Sequence, residues 1–272
     1  MTKRLSINMQ KGGVGKSTTA MNLAGAIADL NHSVLLVDAD PQGHTTKALG
    51  HDTAYLRDGV SMYDVMLDVD KFAQVGGLIE STDEDGIDIL PAHIDMFQLE
   101  RELYFQGRTE ERLGLVLDKL NKEYDAIVMD SPPNLGPLTD NTILAARNVL
   151  FPAQAQQSSR DALEMLFDEV ETLEAEFGVN VRMLGAVVNQ VSRDGMAEEM
   201  LEWYRLQFDD EYVYTVPDRV ALRYAWEDGT TIYGYEPERY EEDAVEQLRD
   251  TYREIAEMVL EQAADVEVTV DV

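Results

Sequence analysis

The chain has 272 residues, 44% of them hydrophobic, so it is long enough to bury a core and too apolar to be intrinsically disordered. Its 22 basic and 53 acidic residues give a net charge of −31, spread along the whole chain, which favours a protein adapted to concentrated salt, as in a halophilic host. The absence of cysteine excludes disulfides, thiolate zinc sites and iron–sulfur clusters within the chain.

The start of the chain has neither a targeting pattern nor a membrane-spanning one. The first residues lead directly into a short apolar strand at residues 4–9, so we expect no signal peptide before the fold. No apolar run approaches the roughly 20 residues that a helix needs to cross a bilayer. The sequence therefore predicts a soluble, cytoplasmic protein.

The predicted elements alternate between strands and helices. A glycine-rich loop and a helix at residues 16–30 follow the first strand, and "SVLLVDAD" at residues 33–40 has the continuous apolar run of a strand buried on both faces. Further strands are predicted at residues 87–90, 126–129, 149–152, 183–189 and 212–216, and amphipathic helices at residues 108–121, 159–177 and 237–262. This order predicts one α/β domain at residues 1–262, with a mostly parallel twisted sheet and helices on both faces, and a short acidic tail at residues 263–272.

The loop "MQKGGVGKST" lies between the first strand and the first helix, which is the context of a phosphate-binding loop. Its glycines let backbone N–H groups turn towards a phosphate, and the helix N-terminus adds its positive dipole end. We expect Lys16 to reach the β- and γ-phosphates, Ser17 to ligate Mg²⁺ and Thr18 to lie at the α-phosphate. The predicted nucleotide contacts are Gly12, Gly13, Val14, Gly15, Lys16, Ser17 and Thr18.

Three aspartates end two of the predicted strands. Asp130 closes "YDAIVMD", and Asp38 and Asp40 lie at the end of "VLLVDADP". Because the carboxyl ends of parallel strands converge on the ligand crevice, these side chains are expected near the phosphate loop. Asp130 is predicted to hold the Mg²⁺ shell and Asp40 to take part in the metal and water chemistry. For Asp38, a capping or supporting role and a catalytic role remain open.

The stretches "KGGVGKST", "VLLVDADPQG" and "DSPPNLG" together resemble the deviant Walker A ATPases of the ParA/MinD superfamily, and specifically the ParA/Soj branch that segregates plasmids and chromosomes. The resemblance extends from about residue 4 to about residue 260. It implies a P-loop NTPase fold, ATP and Mg²⁺ as cofactors, and weak basal ATP hydrolysis. It also implies a homodimer in the ATP state, a ParB-like stimulator, and non-specific DNA binding at the nucleoid.

The resemblance also assigns roles to individual residues. Lys11 matches the signature lysine that crosses the dimer interface to the phosphates of the partner's ATP, so Lys11 joins Lys16 and Asp40 as an expected catalytic residue. A second cation from another subunit is physically reasonable, because two ATP molecules placed face to face would otherwise repel strongly. By the same resemblance, Asp40 orients the attacking water in switch I, and Asp130 belongs to switch II.

The resemblance weakens at the base- and DNA-binding positions. Asn189 matches a strand-end asparagine that reads the adenine, although an asparagine there is equally suited to a turn. Pro217 and Asp218 occupy a base-contact motif that usually reads Pro-Arg-Asn, so an acid replaces the arginine. The candidates for DNA contacts are Arg182, Arg193, Arg219, Arg223 and Arg253, and each of them is also suited to pairing with the acidic surface.

Other functions on the same fold are less consistent with the sequence. A MinD-like ATPase needs a basic membrane-binding C-terminal helix, whereas residues 237–272 hold twelve acids and three arginines. The absence of cysteine removes reductases of the nitrogenase iron-protein kind and targeting factors with a cysteine-bound zinc. A metabolic ATPase of the biotin or cobalamin pathway has no need for a lysine at the position of Lys11.

Overall fold

The computed structural model describes residues 2–107, 109–191 and 195–264. Almost all of the predicted acidic tail at residues 263–272 therefore lies outside the described residues, as does Arg193. Among the described residues, no helix has both the length and the apolar composition to cross a bilayer.

The strands of the described chain form one eight-stranded sheet. Their bounds are β1 Lys3–Ile7, β2 Val34–Asp38, β3 Glu80–Ser81, β4 Ile87–Leu90, β5 Ala126–Asp130, β6 Asn148–Gln154, β7 Arg182–Asn189 and β8 Val213–Val216. Their spatial order is β3-β4-β2-β5-β1-β6-β7-β8, and every pair is parallel except β3 with β4. The predicted single-domain α/β fold with a mostly parallel sheet is confirmed.

Helices cover both faces of this sheet. Their bounds are α1 Lys16–Asp29, α2 His44–Ala48, α3 Asp52–Tyr55, α4 Met62–Leu67, α5 Met96–Leu103, α6 Arg112–Leu117, α7 Pro137–Ala146, α8 Gln157–Phe177, α9 Gly195–Phe208, α10 Val220–Glu227 and α11 Glu242–Gln262. Two 3₁₀ segments, Val69–Gly77 and Asp210–Tyr212, complete the described elements. Strand β2 shows the layering directly. Val34 and Leu36 pack into the core of α1, α10 and α11, whereas Leu35 and Val37 pack into the core of α4 to α7.

The helix predicted at residues 108–121 is wrong in extent, because α6 covers only Arg112–Leu117. The Asn141 side chain explains where it begins. Its amide nitrogen donates to the Thr109 carbonyl at 2.9 Å and its oxygen accepts from the Leu113 N–H at 2.9 Å, so it bridges two backbone groups that would bond each other in a longer helix. The helix predicted from residue 237 likewise begins only at Glu242, after a turn in which the Glu238 N–H donates to the Glu241 carboxylate.

Candidate active site at the carboxyl edge of the sheet

The phosphate loop joins β1 to α1 and depends on glycine at position 15. Gly15 has a φ of +92°, and a Cβ added there would lie 2.7 Å from Nδ2 of Asn189. Asn189, the last residue of β7, donates from that nitrogen to the Val14 carbonyl at 2.8 Å and is buried. Its amide therefore clamps the loop, a contact that neither the adenine-reading role nor the turn role anticipated.

Lys16 is buried at the start of α1, and its Nζ donates to the Lys11 carbonyl at 3.1 Å. Burial lowers the pKa of the Lys16 ammonium, while the nearby Asp130 and Asp40 carboxylates oppose that shift. The ammonium thus lies at the inner side of the loop, within the field of two of the predicted site carboxylates. Thr18 is held from the next turn by Asn22, whose amide donates to the Thr18 carbonyl at 2.7 Å.

Asp130 ends β5 and has the geometry of a divalent-cation ligand. Its Oδ2 accepts from the Thr45 hydroxyl at 2.7 Å, hydrogen bonding by the Ser17 hydroxyl lowers its pKa, and its Oδ1 is buried with no hydrogen-bond partner among the described residues. Burial raises the pKa of Asp130. A buried carboxylate oxygen without a partner, beside a serine hydroxyl, is a donor set suited to Mg²⁺. The described residues hold no group of three or more acids or histidines arranged as a metal site, and a site that shares phosphate oxygens needs none.

Asp38 lies beside Asp130, because β2 and β5 pair in register at these two residues. Its Oδ2 accepts from the Thr46 N–H at 2.8 Å and from the Thr46 hydroxyl at 2.6 Å, and its Oδ1 accepts from the Asp40 N–H at 3.2 Å. Burial, and then the neighbouring Asp130, raises the pKa of Asp38. Both oxygens are occupied, Oδ1 by the loop that follows β2 and Oδ2 by α2, so the geometry favours the supporting role over the catalytic one.

Asp40 lies in that loop, between β2 and α2. Its Oδ1 accepts from the Gln42 N–H at 2.9 Å, and the loop is braced by the Tyr55 hydroxyl, which donates to the Pro41 carbonyl at 2.8 Å. Burial raises the pKa of Asp40, and the charges of His44, Lys16 and Lys47 act in the opposite direction. Sequence reasoning missed the supports Thr45, Thr46 and Tyr55, since hydroxyl groups on two short helices, α2 and α3, carry no recognisable pattern.

A cavity of about 320 Å³ opens beside the phosphate loop. It brings the predicted base contacts Asn189, Pro217 and Asp218 together with Gly15 and Thr18. Its other lining residues are Gln190, Val216, Arg219, Leu222, Arg223, Trp226 and Glu227, of which only Arg219 and Arg223 were predicted, and those as DNA contacts. An apolar wall facing a few polar groups is typical of a nucleobase pocket.

Lys11 points towards the start of α8. Its Nζ donates to Ser158 Oγ at 2.8 Å, to Gln156 Oε1 at 3.2 Å and to Ser159 Oγ at 3.3 Å. The two loop lysines therefore have separate surroundings, with Lys16 inside the loop and Lys11 on its outer rim.

The candidate DNA-binding arginines are largely engaged within the chain. Arg253 pairs with Asp29 at 3.1 Å and with Asp250 at 3.0 Å, and Arg182 donates to a backbone carbonyl of α11. Arg219 donates to an amide oxygen of α11 at 3.3 Å, and Arg223 lines the cavity. Arg253 thus pairs with the acidic surface as expected, whereas Arg182 and Arg219 bond neutral oxygens.

Comparison with known proteins identifies relatives over most of the chain. The model of the AAA domain family matches residues 2–183. The chain is 33% identical over 239 residues to the sporulation initiation inhibitor protein Soj of Bacillus subtilis, covering 87% of this chain and 92% of that protein.

Two solved structures share the fold. Apo McdA from Cyanothece matches with a TM-score of 0.81 and 21% identity, covering 95% of this chain and 100% of that one. Cobyrinic acid a,c-diamide synthase from Mycobacterium smegmatis, solved with an ATP analogue and magnesium, matches with a TM-score of 0.74 and 27% identity, covering 94% of this chain and 93% of that one.

Proposed function

Because this chain belongs to the ParA/Soj family of partition ATPases, we propose that it is a cytoplasmic switch that dimerises with ATP and Mg²⁺ and segregates a plasmid or chromosome. The observation that carries the proposal is the convergence of Lys16, Ser17, Asp40 and Asp130 on one glycine loop, with a second lysine, Lys11, on its outer rim. A ParB-like partner would reset the switch by stimulating hydrolysis.

Each group at the site has a proposed role in binding the triphosphate. Lys16 exchanges the Lys11 carbonyl for the β- and γ-phosphates, and the inward N–H groups of residues 12–18 bind the phosphate oxygens. Ser17, Asp40 and Asp130 would hold Mg²⁺. When bound, the metal neutralises charge on the phosphates as the terminal bond breaks.

Hydrolysis needs a water held in line with the terminal phosphate, and we assign that task to Asp40. Its Oδ1 is fixed by the Gln42 N–H, while Oδ2 accepts no hydrogen bond from the described residues and is available to a water. Asp38 keeps this carboxylate in place by accepting the Asp40 N–H. Because only one of its oxygens is fixed, we expect the water to be poorly organised in the isolated subunit and the basal turnover to be weak.

Lys11 is proposed to act on the ATP of a second copy of the chain. Lys16 already occupies the position inside the loop, so the triphosphate that Lys11 can reach is the one across a dimer interface. A cation supplied by a partner offsets the repulsion between two facing triphosphates and stabilises the transferring phosphoryl group, as an arginine finger does. Dimerisation then depends on ATP, and ADP leaves a monomer.

DNA binding by the ATP dimer is proposed only in a weak, non-specific form. A net charge of −31 opposes a polyanion, and binding based on counterion release falls steeply with salt. Among the described candidates, Arg182, Arg219 and Arg223 have no carboxylate partner in the ion pairs, and Arg182 and Arg219 donate to neutral oxygens of α11. Retardation of a DNA fragment by the ATP-bound protein, compared across a salt series, measures this contribution.

The cobyrinic acid synthase likeness supports one alternative, a small-molecule ATPase on the same fold. The presence of Lys11 favours the partition switch, since a metabolic ATPase needs no cation from a second subunit. A MinD-like membrane role is disfavoured by α11, whose sequence EDAVEQLRDTYREIAEMVLEQ carries many more acids than bases.

The decisive experiment measures oligomeric state by light scattering in high-salt buffer. The parent is the Asp40→Ala variant, which should bind ATP without hydrolysing it, and Lys11→Ala or Lys11→Arg is added to it. We expect an ATP-dependent dimer in the parent and monomers in both double variants, with ATP binding retained. Lys11→Arg should not restore the ATP-dependent dimer, because a planar guanidinium does not replace a compact ammonium among phosphates.

The matched control is Lys119→Ala in the same parent, which removes an exposed lysine on another face of the protein. It should dimerise like the parent. If Lys11→Ala dimerises equally well, the cross-subunit role of Lys11 is wrong for this protein.

A further inference from the structure

The resting position of Lys11 is built from neutral groups. Its Nζ contacts the side-chain oxygens of Gln156, Ser158 and Ser159, which we call the lysine dock. The chain carries 53 acidic residues, yet among the described residues no carboxylate pairs with Lys11. A cation in such an acidic chain would ordinarily be expected to find a carboxylate.

The lysine dock orients the ammonium without trapping it. It lies at the N-terminus of α8, a helix of 21 residues whose dipole presents its positive end there. That end disfavours a cation, whereas the hydroxyl and amide oxygens accept its hydrogen bonds. Because a carboxylate would hold the ammonium much more strongly, the neutral dock leaves Lys11 able to exchange to another acceptor.

The lysine dock is also continuous with the nucleotide loop. Gln154, two residues before it, donates to the Gly13 carbonyl at 3.2 Å and to Gln190 Oε1 at 2.6 Å. Within the dock, Ser159 is fully buried, and the Tyr204 hydroxyl fixes the strand end by donating to the Gln154 carbonyl at 3.1 Å. The acceptors are therefore held at a fixed position relative to the loop that carries Lys11.

We propose that the lysine dock holds Lys11 in the monomer and competes with the triphosphate of the partner subunit, so that it sets the protein concentration at which the ATP dimer forms. Gln156, Ser158 and Ser159 are positioning residues in this scheme, since they act through Lys11. The proposal rests on the proposed function, in which Lys11 crosses the interface.

The competition has a predictable size. Lys11 cannot occupy the dock and the partner's site together, so any stabilisation of the docked state raises the dimer dissociation constant by the corresponding factor. Each dimer releases two docked lysines, and the factor therefore enters twice. If one hydroxyl acceptor stabilises the docked state by a factor of about 3, removing it from both subunits lowers the dimer dissociation constant by about ninefold.

The test uses two opposite substitutions of the exposed Ser158 in the Asp40→Ala parent at saturating ATP. Ser158→Ala removes the acceptor at 2.8 Å and should tighten the dimer by about ninefold. Ser158→Asp gives Lys11 a carboxylate in its own subunit and should weaken the dimer more than tenfold. The dissociation constant is read from light scattering across a dilution series.

Gln157 supplies the matched controls, because it is the exposed neighbour of Ser158 and donates to Asp161 at 2.9 Å rather than bonding Lys11. Gln157→Ala should leave the dimer unchanged, and Gln157→Asp separates the added charge from the contact with Lys11. The proposal is overturned if Ser158→Asp and Gln157→Asp raise the dimer dissociation constant equally. It is also overturned if Ser158→Ala does not lower that constant.

A second measurement tests the dock without any dimer. In the nucleotide-free protein, the rate of amine labelling at Lys11 is followed by mass spectrometry, with the exposed Lys119 as internal reference. Ser158→Ala should raise the Lys11 rate by about threefold relative to Lys119. An unchanged rate refutes the dock, whereas failure of the parent to dimerise with ATP refutes the proposed function instead.

Discussion

Replacing Asn189 by alanine tests whether this residue holds the phosphate loop or reads the adenine. The side chain is buried, and its Nδ2 donates to the Val14 carbonyl at 2.8 Å. Losing such a buried hydrogen bond costs about 1–3 kcal/mol. If the loop loses its phosphate-binding conformation as a result, affinity for nucleotide falls about 5- to 150-fold.

Calorimetry with two ligands distinguishes the roles. Tripolyphosphate carries the charge of ATP without a base. If Asn189 holds the loop, Asn189→Ala should therefore lower the affinity for both ligands by the same factor. A loss of affinity for ATP alone, with tripolyphosphate binding unchanged, would refute the loop-holding role and support the adenine-reading role of Asn189. Gln154→Ala is the matched control, because it removes two exposed bonds, to the Gly13 carbonyl at 3.2 Å and to Gln190 Oε1 at 2.6 Å, and should change affinity less than threefold.

Four further outcomes are expected. Lys16→Ala should abolish ATP binding measured by calorimetry in high-salt buffer, and an unchanged affinity would end the phosphate-loop assignment. Asp40→Ala should bind ATP but release phosphate at the rate of a no-enzyme control; normal turnover would move the catalytic role, most directly to Asp38. Flotation with anionic liposomes and ATP should leave the protein at the bottom of the gradient, and co-flotation that depends on α11 would support the MinD-like alternative. Burial, followed by the charges of Glu169 and Glu110, raises the pKa of Asp140 to about 8. The folded state therefore keeps a proton that the unfolded chain releases, and the free energy of unfolding should decrease as the pH rises from about 4 to about 8. Asp140→Asn should remove this slope and stabilise the protein by ~2 kcal/mol at pH 8 in denaturant titrations, and an unchanged slope would contradict the shift.

Much of the fold follows from local patterns in the sequence. Strand β2 is predictable because Val34 to Asp38 is a continuous apolar run ending in a carboxylate, which fits a strand buried on both faces. The rule that parallel strands deliver their carboxyl ends to one crevice then brings Asp38 beside Asp130, as the register of β2 and β5 shows. The glycine loop is equally local, since its strand, turn and helix are adjacent in the chain.

The unpredicted parts depend on contacts between distant residues. The bounds of α6 depend on Asn141, and the docking of Lys11 depends on groups 145 to 148 residues away. The hydroxyls of Thr45 and Thr46 support two aspartates without any periodic or spacing signal. Such contacts require the packed chain, because hydrogen-bond partners are selected by tertiary geometry rather than by propensity.

The two lysines of the loop differ in what surrounds them, and that difference supports the separate tasks proposed for them. Lys16 is buried within the field of Asp130 and Asp40, so moving it out of the loop would remove a cation whose charge acts on both carboxylates. Among the described residues, Lys11 is bonded to neutral oxygens at the positive end of a helix, and its departure leaves none of their buried charges uncompensated. Electrostatics therefore holds Lys16 in its own subunit and leaves Lys11 as the cation that can be exchanged. A carboxylate at the lysine dock would remove this asymmetry, and with it the means by which ATP could draw two acidic subunits together.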